Sequence, residues 1–320
     1  MGVDRPPTPS IGGAPLTTLI PDARVAMFGR LIDYAGLYSP ASRDMSAAVA
    51  GYRTARTSHE GWIANRFLCP ASRLEELAGD LVATMQASEE PWRIAVTFDL
   101  GPAASAAAAA AFHAEMAPAA TVELAEVRIP PASDAEVIAG LFTAASSIND
   151  TVIPYLEIPR DGAITATIDA IATVVAEARR PGGAKLRCGG LEPEAFPSTR
   201  EVAEFIGACT EAGLAFKTTA GLHHPIRHHD EDLDVMRHGF LNLLAAAVAA
   251  RAGAGPLTMD AIIADTDPDA FDVDFGGVSW RGERIGPQTV DETRHLGFVA
   301  FGSCEFDEPV EDLAAMGFLP

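Results

Sequence analysis

Eight short apolar runs recur along this chain about 30 residues apart, and stretches with helical patterning alternate with them. The runs are Arg30 to Gly36, Trp62 to Cys69, Arg93 to Leu100, Val122 to Ile129, Val152 to Ile158, Lys185 to Gly189, Phe216 to Gly221 and Gly297 to Ser303. Each of the first six gaps holds one predicted helix: Asp44 to Thr57, Ser72 to Ala87, Ala103 to Met116, Ala132 to Ser146, Ile164 to Arg179 and Ser198 to Ala212. Ser72 with Glu75, and Ser198 with Glu201, carry the pattern of a capping box, and Gly213 marks a stop. Eight such units are what a closed parallel barrel requires, so the expected fold is α/β, a single (β/α)8 TIM-type barrel.

Two segments fall outside the repeat. Residues 1–24 are expected to form an N-terminal arm, since prolines and glycines crowd the stretch from Pro6 to Pro15. The seventh gap holds predicted helices at Asp234 to Arg251 and Met259 to Ala264, then an acidic insertion over residues 265–287. Aromatic and turn residues in that insertion suit a small hairpin or a lid between the seventh and eighth strands. A final helix is predicted at Val310 to Met316.

Charge narrows the class of partner. A net charge of −21 without a basic stripe argues against nucleic acid, whose phosphates call for clustered Lys and Arg. The most apolar helical run, Phe240 to Ala250, is too short to cross a bilayer, and no secretory signal pattern is evident at the N-terminus. Cys69, Cys188, Cys209 and Cys304 are widely spaced, which fits a reducing compartment. The expectation is a cytoplasmic protein with a small-molecule substrate, no nucleic-acid or membrane partner, and nothing that excludes a homo-oligomer.

Only two lysines occur, Lys185 and Lys217, among 23 basic residues. An amine can lose its proton when desolvated and attack a carbonyl, whereas guanidinium stays protonated. Both lysines fall in strands that a parallel barrel should bury on both faces. Other ionisable residues share this placement: Asp33 in the first strand, Asp99 ending the third, Glu123, Glu126 and Arg128 in the fourth, and Glu157 ending the fifth. Lys185 and Arg187 share parity on the sixth strand, as do Lys217 and Thr219 on the seventh, so the set points to one C-terminal mouth. The alternative is structural, with the two lysines forming interior ion pairs with Glu157 and Glu126.

A histidine cluster follows the seventh strand: His223, His224, His228, His229 and His238. His223 or His224 is the expected acid/base or substrate-binding residue. A zinc site would need further ligands such as Asp33, Asp99 or Cys69, and no HExxH or CxxC pattern supplies them, so no cofactor is expected and a metal ion stays an alternative. The insertion lacks the glycine and terminal glutamate of an EF-hand calcium loop. Gly302 and Ser303 precede a helix whose N-terminus would offer N–H groups to an anion, although Asp307 and Glu308 stand close by.

The sixth-strand segment KLRCGG and the seventh-strand segment KTTAG resemble those of class I, Schiff-base-forming aldolases, especially the deoxyribose-phosphate aldolase type. In that family the sixth-strand lysine lies in a K-T-S-T-G setting and the seventh-strand lysine in K-P-A-G-G. The resemblance implies that Lys185 forms the Schiff base and Lys217 lowers its pKa. Arg187 and Cys188 stand where that family has small hydroxyl residues, and GLHHP replaces its glycine turn. Asp99, Glu126, Glu157 and Lys185 are also similar in order to the metal-binding carboxylates and base of enolase-superfamily barrels. That family's large N-terminal capping domain has no room before the first strand here.

The expected function is a lyase of aldolase type acting on a small carbonyl compound. Lys185, Lys217, Glu157, Asp99 and His223 are the catalytic candidates, and Asp33, Glu126, Arg187, Thr219, His224 and Ser303 the substrate-binding ones. A metal-dependent lyase or isomerase and a non-catalytic binding barrel are the alternatives.

Overall fold

The computed structural model describes residues 22–160 and 162–320. Helix α1 (Ala23–Phe28) leads into strand β1 (Ile32–Tyr34). There follow α2 (Met45–Thr57), β2 (Ala64–Pro70), α3 (Leu74–Thr84), β3 (Trp92–Thr97), α4 (Pro102–Met116), β4 (Ala120–Arg128), α5 (Ala135–Ser146), β5 (Ile153–Glu157), α6 (Ile164–Ala178), β6 (Gly183–Arg187), α7 (Thr199–Glu211) and β7 (Ala215–Thr219). The seventh gap contains an antiparallel hairpin, β8 (His228–Asp230) and β9 (Val235–Arg237), then α8 (Phe240–Arg251) and α9 (Pro256–Ala264). An antiparallel sheet of β10 (Phe271–Asp274), β11 (Gly277–Trp280) and β12 (Glu283–Ile285) precedes α10 (Pro287–Leu296). The chain ends with β13 (Phe298–Ser303) and α11 (Asp307–Ala315). The eight parallel strands close in the order β1-β13-β7-β6-β5-β4-β3-β2, the barrel that the repeat predicts.

Local chemistry sets several helix starts. The Asp44 and Asp134 side chains accept the N–H groups of Ala47 and Val137, at 2.8 and 3.0 Å. The Ser198/Glu201 capping box forms with both reciprocal bonds. The expected box at Ser72 does not, because the Ser72 N–H and hydroxyl donate to Asp99 instead, and α3 starts after Arg73. Most of the apolar core lies between strands and helices, including Phe67, Trp92, Phe205, Phe216 and Phe301. Inside the barrel the apolar cluster is small, with Ala35, Leu68, Ala95, Leu124 and Tyr155. Charged side chains take the remaining interior.

Three expectations change here. The predicted helix Asp234–Arg251 begins at Phe240, because its first residues pair with β8 as a hairpin. Helix α10 replaces what patterning left unassigned. The 265–287 insertion is hairpin-built, but it is not a lid over the mouth: Phe275 accepts the Ala23 N–H at 3.2 Å, beside the helix that enters β1 at its N-terminal end. Val278 and Trp280 line a separate cavity of 390 Å³ with Ala245 and Ala249 of α8. Of the expected arm, residues 1–21 lie outside the described residues, and Asp22 caps α1 by accepting the Arg24 N–H.

Candidate active site

Lys185 and Lys217 are register partners across β6 and β7, and strand alternation turns both inward. Each ammonium lies between carboxylates. Lys217 Nζ contacts Asp33 Oδ2 and Glu126 Oε1, the latter at 2.5 Å, and its side chain is wholly buried. Lys185 Nζ contacts Glu126 Oε2 at 2.5 Å and Glu157 Oε2 at 2.8 Å. The line continues at both ends. Arg128 pairs with Glu157 at 3.1 Å, Arg66 lies 3.7 Å from Asp33, and Glu123 joins Arg66 and Arg93 at 3.0 and 2.8 Å. Positive and negative groups therefore alternate across the barrel from Arg128 to Arg93, so no buried charge in the line lacks an opposite neighbour.

The electrostatics follow from this alternation. Burial opposes ionisation of Glu126, but the two ammonium groups outweigh it and hold its pKa at about 2. Glu157 is likewise held below its usual range, with Lys185 overcoming burial. Burial also opposes the charge on Lys185, and Glu126 and Glu157 more than reverse that effect, so its pKa is raised. The expected lowering by a neighbouring cation is absent: Glu126 stands between the two ammonium groups, and the Arg187 Nε–H is donated to the Gly189 carbonyl at 2.8 Å.

One end of the line opens on a cavity of 710 Å³ at the C-terminal mouth. Lys185, Glu126 and Glu157 line it, while Lys217 and Asp33 lie beneath. Asp99, Arg128, Arg187, Thr219 and His223 complete the predicted residues that reach the cavity. Ser303 is buried, and its hydroxyl accepts the Glu305 N–H at 3.4 Å. His224 pairs with Asp312 of α11 at 2.7 Å. The other histidines disperse to separate partners: His228 to the Ile226 carbonyl, His229 to Asp234 and His238 to the Pro197 carbonyl. Among the described residues, no group of three or more His, Cys, Asp or Glu side chains is placed to hold a metal ion.

The glycines near the lysines have a packing role. The loops after β6 and β7 meet backbone to backbone, and a Cβ on Gly189 would stand 3.0 Å from the Gly221 Cα and 2.8 Å from Phe196. Gly221 also has φ of +71°, which favours glycine. This close approach directs the chain toward His223.

Among the cavity residues that sequence reasoning missed are four that carry polar chemistry or come from unpredicted elements. Tyr38, whose hydroxyl lies 2.6 Å from Thr97 Oγ1, comes from the loop after β1, and Leu233 and Arg237 come from the hairpin. Cys304 directly follows β13; its position at a strand end was the available signal. No protein-family model matches the chain, and no curated protein matches it.

Proposed function

We propose that the barrel mouth is the active site of a lyase of aldolase type that acts on a small carbonyl compound through Lys185. The observation that carries this reading is that Lys185 alone of the two lysines reaches the cavity, with Glu126 and Glu157 in hydrogen-bond contact with its ammonium. Glu157, the more accessible of the two carboxylates at the ammonium, is placed to take its proton when a carbonyl carbon arrives. The neutral amine then adds to that carbon, and loss of water leaves an iminium. Glu157 serves next as the acid/base for breaking the adjacent C–C bond, with Asp99 and His223 at the cavity wall to hold or protonate the departing oxygen. Arg128, Arg187 and Arg237 also line the cavity and favour a substrate that carries a carboxylate.

A second reading has its own support: Lys185 rests as an ammonium between two carboxylates, a state suited to acid–base catalysis of enolisation without a covalent bond. Borohydride trapping with a panel of aldehydes and 2-keto acids, followed by peptide mapping, separates the two. The proposal expects reduced adduct on the Lys185 peptide and none on Lys217. Absence of adduct on Lys185, together with solvent deuterium entering the substrate, would establish the second reading instead.

A further inference from the structure

The same cavity holds a second reactive arrangement that does not use Lys185, although it shares His223 with the reading above. Cys304 Sγ lies 3.7 Å from His223 Nε2, and His223 Nδ1 lies 2.9 Å from Glu308 Oε2. Cys304 and His223 both line the cavity, at the ends of the adjacent strands β13 and β7. All four cysteines are buried, and of them Cys304 alone lines the cavity. A carboxylate accepts only, so the proton between Glu308 and His223 sits on Nδ1 and leaves the Nε2 lone pair facing the sulfur. Thiol, imidazole and carboxylate thus stand in the order of a nucleophile, its base and the group that orients the base.

We infer that Cys304 is a nucleophile for acyl transfer, with His223 as its general base and Glu308 as the positioning residue, acting on esters or thioesters of small carboxylic acids. The Cys304 proton passes to His223 Nε2 as the sulfur bonds to the acyl carbon. The tetrahedral adduct collapses by breaking the bond to the alcohol or thiol, which leaves with the proton from His223. Water then attacks the acyl-Cys304, giving its proton to His223, and the carboxylic acid departs as the sulfur regains a proton. Burial pushes the Cys304 thiol pKa up, so it rests as a thiol and needs the imidazole to ionise.

The test uses the full chain and p-nitrophenyl acetate. Release of p-nitrophenolate is followed while peptide mapping locates the acetyl group. The expected result is a burst with acetyl on Cys304, abolished by prior alkylation with iodoacetamide at that residue. His223→Asn should slow acetylation at least tenfold, as loss of a general base does. Glu308→Ala should also slow it, and Glu308→Asp should recover part of the rate, which a purely structural carboxylate would not produce. Acetyl found on Lys185 instead of Cys304, no acetyl at all, or an unchanged rate in His223→Asn would overturn the assignment. Because the borohydride experiment reports on Lys185 alone, failure of either assignment is visible apart from the other.

Discussion

Lys185 and Lys217 share one carboxylate, each taking a different oxygen of Glu126 at 2.5 Å. Two like charges on adjacent strands are tolerable only because an anion separates them. The packing also accounts for lysine in a chain that otherwise uses arginine: a compact ammonium fits between two inward carboxylates, whereas a planar guanidinium is larger and makes forked contacts. The same geometry divides the pair, since Lys217 is sealed between Asp33 and Glu126 while Lys185 faces the cavity.

Lys217→Met should therefore cost stability before it costs chemistry. It leaves Asp33 and Glu126 buried with one cation fewer, a loss of about 3 to 5 kcal/mol for a broken interior pair. Lys217→Arg should not restore it. Urea denaturation of the three proteins checks this, and a loss below about 1 kcal/mol in Lys217→Met would refute the account.

Glu157→Gln should move the pH dependence of borohydride trapping toward acid. Burial opposes the Lys185 charge, and Glu126 and Glu157 together overcome it and raise the pKa. Removing one carboxylate favours the neutral amine, which is the attacking form, so trapping should begin at lower pH by at least about one unit. Adduct yield against pH, compared with the wild-type protein, is the measurement. A shift toward alkali would mean that Glu157 does not stabilise the ammonium.

Strand period explains why much of the site was legible before the fold. Alternation alone places Lys185 with Arg187 and Lys217 with Thr219 on the inner face, and the register confirms it. The same logic fails on β4, where the register with β3 shifts between Ile94 and Ala95, so Glu123 and Glu126 both meet cations of the interior line despite opposite parity. Arg66, Arg93 and Tyr38 were invisible as participants because their roles depend on which distant strand they meet. The hairpin at β8 and β9 was hidden by Asp234–Arg237, whose charged and apolar residues continue smoothly into the apolar helix that follows.

Arg294 closes the opposite end of the barrel. Its buried guanidinium donates to the Met27 carbonyl at 2.8 Å, to the Gly29 carbonyl at 3.1 Å and to the Phe298 carbonyl, tying α10 to the segment that enters β1. Burial lowers its pKa to about 10, and it stays charged at neutral pH. Arg294→Lys keeps the charge but loses the fork, leaving carbonyls unpaired at about 1 to 3 kcal/mol each. The thermal midpoint should fall by several degrees while borohydride trapping at Lys185 is unaffected in protein that stays folded.

His238 should make the fold sensitive to mild acid. Its ring is buried, accepts from Arg227 at Nδ1 and donates from Nε2 to the Pro197 carbonyl, and burial lowers its pKa from the ordinary 6.5 to about 4. The folded state therefore holds the neutral ring where the unfolded chain binds a proton. Stability that is complete above pH 6.5 is lost as pH falls toward 4, and the total is on the order of 3 kcal/mol. Glu126, held at about 2, adds a separate loss only below its ordinary 4.5, so the two windows barely overlap. His238→Gln should reduce the fall of the unfolding free energy between pH 6.5 and about 4.5, measured by urea denaturation at fixed ionic strength. An undiminished slope in that variant would show that His238 is not its source.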